Sequence, residues 1–336
     1  MNSKLIGGIL LVVGTTIGAG MLALPIATAQ LGFWGSTFLL IGCWAIMTAC
    51  AFLFLEVNLQ LPPKTNLISM AGATLGVPGQ VLTWITYILL LYSILSAYIA
   101  GGGDLFHYLL QTSGFNVSLS VASLLFTLLF GIIVYFGIRF VDYANRSLMF
   151  GKLGAFILLV VLVLPFVSKS NINHGELKQI TSLNSISVVI VAFTCLMIIP
   201  SLRTYFNEDV KLLRKTIFFG TLIPLVCYIA WDLVIMGVIP FVGEHGLQQM
   251  LHSSSSNSDL IVALTYILQS QKVTLFAKFF TSICMATSFL SVSLSLSDFL
   301  SDGLNIVKRG FGLTYPLIFK SPIRWIAAIH AQATTQ

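Results

Sequence analysis

Apolar residues run along this chain in stretches of about 20, set apart by short polar turns. A helix of about 20 apolar residues crosses a hydrocarbon layer, so the pattern predicts a polytopic helical membrane protein. A membrane barrel would show short alternating segments instead. Spans are expected at about 5–29, 36–58, 80–100, 119–138, 147–167, 185–205, 216–240 and 274–300. Gly32, Phe33, Trp34 and Gly35 read as a tight interfacial turn, and Pro62-Pro63-Lys64 as a helix break. Residues 66–75 are too short to span and read as an interfacial helix ended by Gly76-Val77-Pro78-Gly79. Gly101-Gly102-Gly103-Asp104 reads as the end of span 3, Arg203 to Lys215 as a charged loop, and 241–272 as a long loop with one weak helical piece. An apolar piece at 311–319 is interrupted by Lys320, Pro322 and Arg324, so 306–336 reads as an incomplete ninth span and tail. Lys4, the first apolar run and Ala27-Thr28-Ala29 imitate a secretory signal, but the run is too long and further spans follow, so a retained first helix is expected.

Composition narrows the class. The chain is 57% hydrophobic and 8% charged, against about 25% charged in soluble domains. The net charge of +6 sits mostly in short loops, where it orients spans rather than binding nucleic acid. With the N-terminus in the cytoplasm, the inner segments hold eleven basic residues, including Lys64, Arg139, Arg146, Lys152, Lys308 and Arg309, and the outer loops only Lys169, Lys178 and Lys272. That bias predicts a cytoplasmic N-terminus. All five cysteines fall in expected spans without metal-type spacing, and read as small buried apolar residues. No zinc-protease, phosphate-loop or nucleophile-elbow motif is present, so neither an enzyme nor a cofactor is expected.

The sharpest local feature lies inside span 1: Gly14-Thr15-Thr16-Ile17-Gly18-Ala19-Gly20-Met21-Leu22-Ala23-Leu24-Pro25. Each glycine costs about 1 kcal/mol against alanine in a helix interior. Three so close together fit either an unwound span, which needs protein or a water-filled cavity to satisfy its backbone, or a surface for close helix packing. Five spans later, Val191-Ala192-Phe193-Thr194-Cys195-Leu196-Met197-Ile198-Ile199-Pro200 carries a proline that removes one donor and predicts a break near 196. Paired interruptions at matching places in two halves point to a secondary transporter's site. Freed N–H groups at Gly18, Ala19 and Gly20 can hold a carboxylate with help from the positive helix end, and freed carbonyls can accept from an ammonium. That pair of functions suits a zwitterionic amino acid.

Three polar features accompany the breaks. Lys152 enters span 5 with only apolar sequence after it, and is either a proton carrier or an interfacial lysine reaching back to water. Asp232 in span 7 either pairs with another span or faces a polar cavity beside Trp231. Span 8 carries hydroxyls at Thr281, Ser282, Thr287, Ser288, Ser291, Ser293, Ser295 and Ser297, which line a polar path or bond neighbouring helices and their own backbone.

The Gly14–Pro25 signature, Ile199-Pro200-Ser201-Leu202-Arg203-Thr204-Tyr205, Gly220-Thr221-Leu222-Ile223-Pro224-Leu225, Gly237-Val238-Ile239-Pro240, Thr287-Ser288-Phe289-Leu290 and Ser297-Asp298-Phe299-Leu300 together resemble the bacterial hydroxy and aromatic amino acid permeases, within the amino acid–polyamine–organocation group. The likeness covers roughly 4–305, with the tyrosine branch nearest. It implies an all-α, leucine-transporter-type inverted repeat of about eleven spans with broken helices 1 and 6. About eight to nine of those spans fall in this sequence: 1–167 as the first repeat, 168–184 as an outer loop, and 185–305 as spans 6–8. It also implies proton symport of an aromatic amino acid across the bacterial inner membrane. By position, Thr15, Thr16, Ile17, Gly18, Ala19 and Gly20 would bind the substrate backbone, and Phe193, Thr194 and Cys195 would line its side-chain pocket. Lys152 matches a lysine that stands in place of a sodium ion in some proton-coupled relatives. The chain departs from the family at Phe193-Thr194-Cys195-Leu196-Met197, where Ser-Phe-Gly-aromatic-His is usual, and ends where the family has two or three further spans, so a truncated copy is expected.

Overall fold

The computed structural model describes residues 3–62, 67–136, 138–173, 175, 182–251 and 256–303. Lys64, Lys178, Lys308, Arg309 and the expected ninth span lie outside them, as do the side chains of Ala19, Arg139, Arg146 and Asp298.

The first span is two helices. α1 (Ser3–Thr16) and α2 (Ala19–Ala27) meet at a bend of 52° around Ile17 and Gly18. A short 3-10 turn, Ala29–Leu31, leads to Gly32 at φ 65°, a conformation favouring glycine, and α3 (Gly32–Gln60) follows. α4 (Leu67–Thr112) is itself two pieces, because Gly76 is non-helical (φ 70°, ψ −166°). Pro78 comes next, in the first turn of the second piece, where a missing N–H costs nothing.

The expected end of span 3 at Gly101-Gly102-Gly103 is not an end. α4 runs through it to Thr112, and α5 (Leu119–Tyr135), capped by Ser118, packs against it there. A Cβ on Gly102 would strike the Phe126 ring, and one on Gly103 the Ser123 hydroxyl. These glycines let two helices touch rather than stop one, the usual role of small residues between spans.

α6 (Ile138–Val163) starts nine residues before the apolar run that predicted it, and α7 (Lys169–Ile172) is a single turn. The sixth span is again broken: α8 (Leu183–Ala192), a 3-10 turn at Leu196–Ile198, then α9 (Ile199–Tyr205). The break is at 193–195, just before the position expected from Pro200, which sits in the first turn of α9. The presumed charged loop is mostly helix, since α10 (Val210–Val238) begins where the Asp209 carboxylate accepts from the N–H groups of Lys211 and Leu212 (3.0 and 3.1 Å). α11 (Leu247–Met250) and α12 (Ser256–Leu268) fill the predicted long loop, and α13 (Gln271–Gly303) is the expected eighth span, extended at both ends.

Among the described residues, five helices are long and apolar enough to cross a membrane, six if the bent α1–α2 pair is one span. Three shorter apolar helices, Leu119–Tyr135, Leu183–Ile198 and Asp259–Leu268, accompany them, against the expected eight to nine spans. α2 and α10 form the centre of the bundle, where Met21, Leu22, Leu24, Tyr228 and Trp231 are almost wholly buried. Large apolar side chains such as Leu82, Leu89, Leu128 and Phe150 face outward, as suits a lipid solvent.

Arg203 straps one end of the bundle. Its guanidinium, 5% exposed, donates to the carbonyl oxygens of Asn58 and Leu61 (2.9 Å to Leu61) and to Glu208 Oε1 (3.2 Å). Those carbonyls close the C-terminal end of α3, where the Asn58 oxygen also accepts from the Leu61 N–H (3.2 Å). Arg203→Ala is expected to cost about 2 kcal/mol through the lost charge-assisted bonds to these carbonyls, and Arg203→Lys to recover part of it, since an ammonium lacks the planar fork. Thermal unfolding in detergent reads this; an unchanged midpoint for the alanine variant would remove the strap.

Candidate functional site

The two breaks face each other because α2 packs against α8. Gly20 lies at this contact, where a Cβ would sit 3.6 Å from Ala192 Cα. Gly18 is extended (φ −137°, ψ −153°), so its glycine is demanded by space rather than by dihedral. A Cβ there would collide with the Ser288 hydroxyl of α13.

Two side chains from elsewhere close the junction. Lys152 Nζ donates to the Ile17 carbonyl (2.5 Å) and to Thr287 Oγ1 of α13 (3.3 Å), and the residue is fully buried. Lys152 therefore does not reach back to an interface and leaves the tally of orienting basic residues. The second is Tyr228 of α10, also fully buried, whose hydroxyl lies 2.6 Å from the Thr16 carbonyl and 2.9 Å from the Ala192 carbonyl. Thr16 and Ala192 are the last residues of α1 and α8, so one hydroxyl touches the C-terminal end of both first half-helices. Sequence reasoning missed Tyr228. Its only signal was a tyrosine in an apolar run, which is common in spans.

The sequence-derived site residues divide. The Thr15 and Thr16 hydroxyls both donate back to the Val12 carbonyl (2.8 and 2.5 Å), so neither is free for a ligand in this conformation. Ile17 gives its carbonyl to Lys152, Gly18 is buried against Ser288, and Ala19 and Gly20 open α2. The first N–H groups of a helix have no helical acceptor, and the dipole makes that end positive. Phe193 is buried, with its ring 5.1 Å from the Tyr228 ring. Thr194 donates to the Ile190 carbonyl (3.2 Å). Cys195 turns away, into a separate apolar cluster with Val12, Leu55 and Ile199.

The hydroxyl ladder bonds its own backbone and neighbouring helices, the second of its two readings. Ser291 and Ser295 donate to the backbone of their own helix (2.9 Å each), whereas Thr287 and Ser288 meet Lys152 and the Gly18 backbone. Ser288 also bonds the Tyr98 hydroxyl of α4. A groove of about 440 Å³ at the α12–α13 turn, lined by Thr265, Gln269 and Lys278 among others, shares no residue with the junction. Among the described residues no three His, Cys, Asp or Glu side chains cluster in a way that could hold a metal.

Chemically, the junction offers N–H donors at the start of α2, carbonyl acceptors at the ends of α1 and α8, one buried cation and an aromatic wall. Tyr228→Phe is expected to remove the one hydrogen that the Thr16 and Ala192 carbonyls share and cost about 1–3 kcal/mol. The thermal midpoint in detergent should fall; an unchanged midpoint would mean the hydroxyl joins nothing.

The chain is similar in sequence to known transport proteins. The tyrosine-specific transport system 1 of Haemophilus influenzae is 35% identical over 93% of this chain and 76% of its own length. The glutamine transporter 2 of Aliivibrio fischeri is 30% identical over 96% and 81%. A tryptophan-specific transport protein of Haemophilus influenzae is 30% identical over 90% and 74%. These are transport proteins, not enzymes, and the apolar helices make this chain a multi-pass membrane protein. The model of the tryptophan/tyrosine permease family matches residues 1–328, beyond the stretch over which the signature motifs extend, and the chain belongs to that family.

Proposed function

We propose that this chain carries an aromatic amino acid, tyrosine or tryptophan, together with a proton across the bacterial cytoplasmic membrane, by alternating access around the two breaks. The observation that carries the reading is the meeting of both broken helices at Tyr228, with Lys152 held on the first of them. The substrate carboxylate docks on the N–H groups of Gly18, Ala19 and Gly20, its ammonium on the carbonyls at Thr16 and Ala192, and its ring against Phe193 and Tyr228. Lys152 is the proton carrier, holding the Ile17 carbonyl where a metal cation would otherwise stand. The architecture proposed with it is a leucine-transporter-type repeat: 1–167 as its first half, 168–184 as an outer loop and 185–305 as the beginning of the second, with the N-terminus cytoplasmic. Alternating access then rocks one set of helices against the other around a fixed site.

The relative described as a glutamine transporter favours a second reading, in which the cargo is a polar amide. The Phe193–Tyr228 pair argues for a ring instead. Uptake of labelled tyrosine, tryptophan and glutamine in transport-deficient cells, with and without a proton gradient, decides between them. Gradient-dependent uptake of an aromatic substrate is expected; glutamine uptake alone, or uptake indifferent to the gradient, would overturn the assignment.

A further inference from the structure

A second buried polar chain lies at the other end of α2. Ser36 Oγ of α3 is 2.5 Å from Asp232 Oδ2 and 2.9 Å from Thr28 Oγ1, and Thr28 Oγ1 is 2.7 Å from the Leu24 carbonyl. All three side chains are fully buried. Among the described residues Asp232 Oδ1 has no hydrogen-bond partner, nor has the neighbouring Trp231 Nε1.

Counting hydrogens assigns the chemistry. Three close oxygen–oxygen contacts need three hydrogens. The Leu24 carbonyl supplies none, and the Ser36 and Thr28 hydroxyls supply two. An ionised Asp232 supplies none, so one contact would press two oxygens together with no hydrogen between them. A protonated Asp232 supplies the third, and the chain then runs one way: Asp232 to Ser36, Ser36 to Thr28, Thr28 to the Leu24 carbonyl.

The surroundings agree. Among the described residues no Lys, Arg or His nitrogen lies within 4 Å of Asp232, and the ion pairs they form are Arg203–Glu208 and Arg214–Glu56. α2 carries no titratable group. On the other elements packed against α10, Lys4 of α1 and Lys169 of α7 are exposed, Glu56 of α3 pairs with Arg214, Lys152 of α6 is held at Ile17, and Arg203 of α9 is held at α3. Cys43 of α3 and Cys227 and Tyr228 of α10 are neutral donors at most. Thr28 is moreover the C-cap of α2, the negative end of its dipole, where a carboxylate is disfavoured and a neutral acid is not.

We propose that Asp232 is a proton-binding site, distinct from Lys152, that holds its proton in this conformation and releases it when water reaches the carboxyl group. Release breaks the Asp232 O–H bond, passes the proton to water entering from bulk, and leaves the carboxylate solvated. The two sites bracket α2, separated by the length of its nine residues, about 14 Å. The proposal rests on the proton-coupled reading above and deepens it.

Infrared spectroscopy of the purified protein tests the protonation without reference to transport. The parent protein is expected to show a carboxylic-acid carbonyl band near neutral pH that shifts in D2O, moves in Ser36→Ala and vanishes in Asp232→Asn. Asparagine reproduces the neutral acid's shape and its donor to Ser36, so Asp232→Asn is expected to fold, bind tyrosine and exchange it across vesicles at the parent level. It should lose gradient-driven accumulation. Absence of an Asp232-dependent band, loss of the folded state in Asp232→Asn, or full accumulation by that variant would each overturn the proposal. Should the parent bind but not transport any aromatic amino acid, the transport reading falls, while the infrared result still decides whether Asp232 holds a proton.

Discussion

Lys152→Ala is expected to bring the accumulation ratio of the transported amino acid to one. Lys152 Nζ is held at the junction by Ile17 and Thr287, and among the described residues no carboxylate forms an ion pair with it. A membrane potential of about 100 mV gives each co-transported charge about 2.3 kcal/mol, which is an accumulation of about fiftyfold. Without the carrier this driving force is uncoupled, and uptake becomes facilitated equilibration whose rate no longer follows external pH. Lys152→Met separates coupling from packing, since it fills most of the same volume without a charge or a donor. Both variants should equilibrate without concentrating. Concentrative, pH-dependent uptake by either of them in proteoliposomes would remove Lys152 from the mechanism.

Gly18→Ala is the second large effect. The Cβ it adds has no room beside the Ser288 hydroxyl, and Gly18 sits where the chain passes from one half-helix to the next. The variant is expected to lose both binding and uptake. Ser288→Ala removes the colliding oxygen and leaves Cβ at 3.5 Å from the added carbon, an ordinary contact. The double variant Gly18→Ala/Ser288→Ala should therefore recover much of the binding. A coupling energy of about 1–3 kcal/mol is expected between the two positions. Additive losses, measured by tyrosine binding to purified protein, would show that Gly18 is needed for something other than this contact.

Much of this could be read before the structure, and the reasons are local. The first break was legible because Gly14, Gly18 and Gly20 are poor helix formers in the middle of an apolar run. The second was legible only through Pro200, and the unwinding in fact falls at Phe193, Thr194 and Cys195, none of them a helix breaker by nature. Tertiary contacts, namely Tyr228 on the Ala192 carbonyl, hold that break open where propensity would not. The same limit explains Gly101 to Gly103, since a glycine run signals a stop or a close neighbour equally well until Phe126 and Ser123 are seen beside it. Helix ends beyond the apolar runs, as at Ile138 and Val210, escape any reading based on hydropathy, because backbone hydrogen bonding continues past the edge of the hydrocarbon. Asp209 was a readable exception, an N-cap residue lost among neighbouring charges.

The Tyr228 hydroxyl has one hydrogen to give and two helix ends asking for it. At any instant one of α1 and α8 takes that hydrogen and the other does not, so the two ends compete for a single donor. The two ends are indistinguishable to the tyrosine apart from 0.3 Å, the difference between 2.6 and 2.9 Å. On the proposed reading, a substrate ammonium with three N–H hydrogens supplies both ends at once, and its binding then resists the parting of the two half-helices.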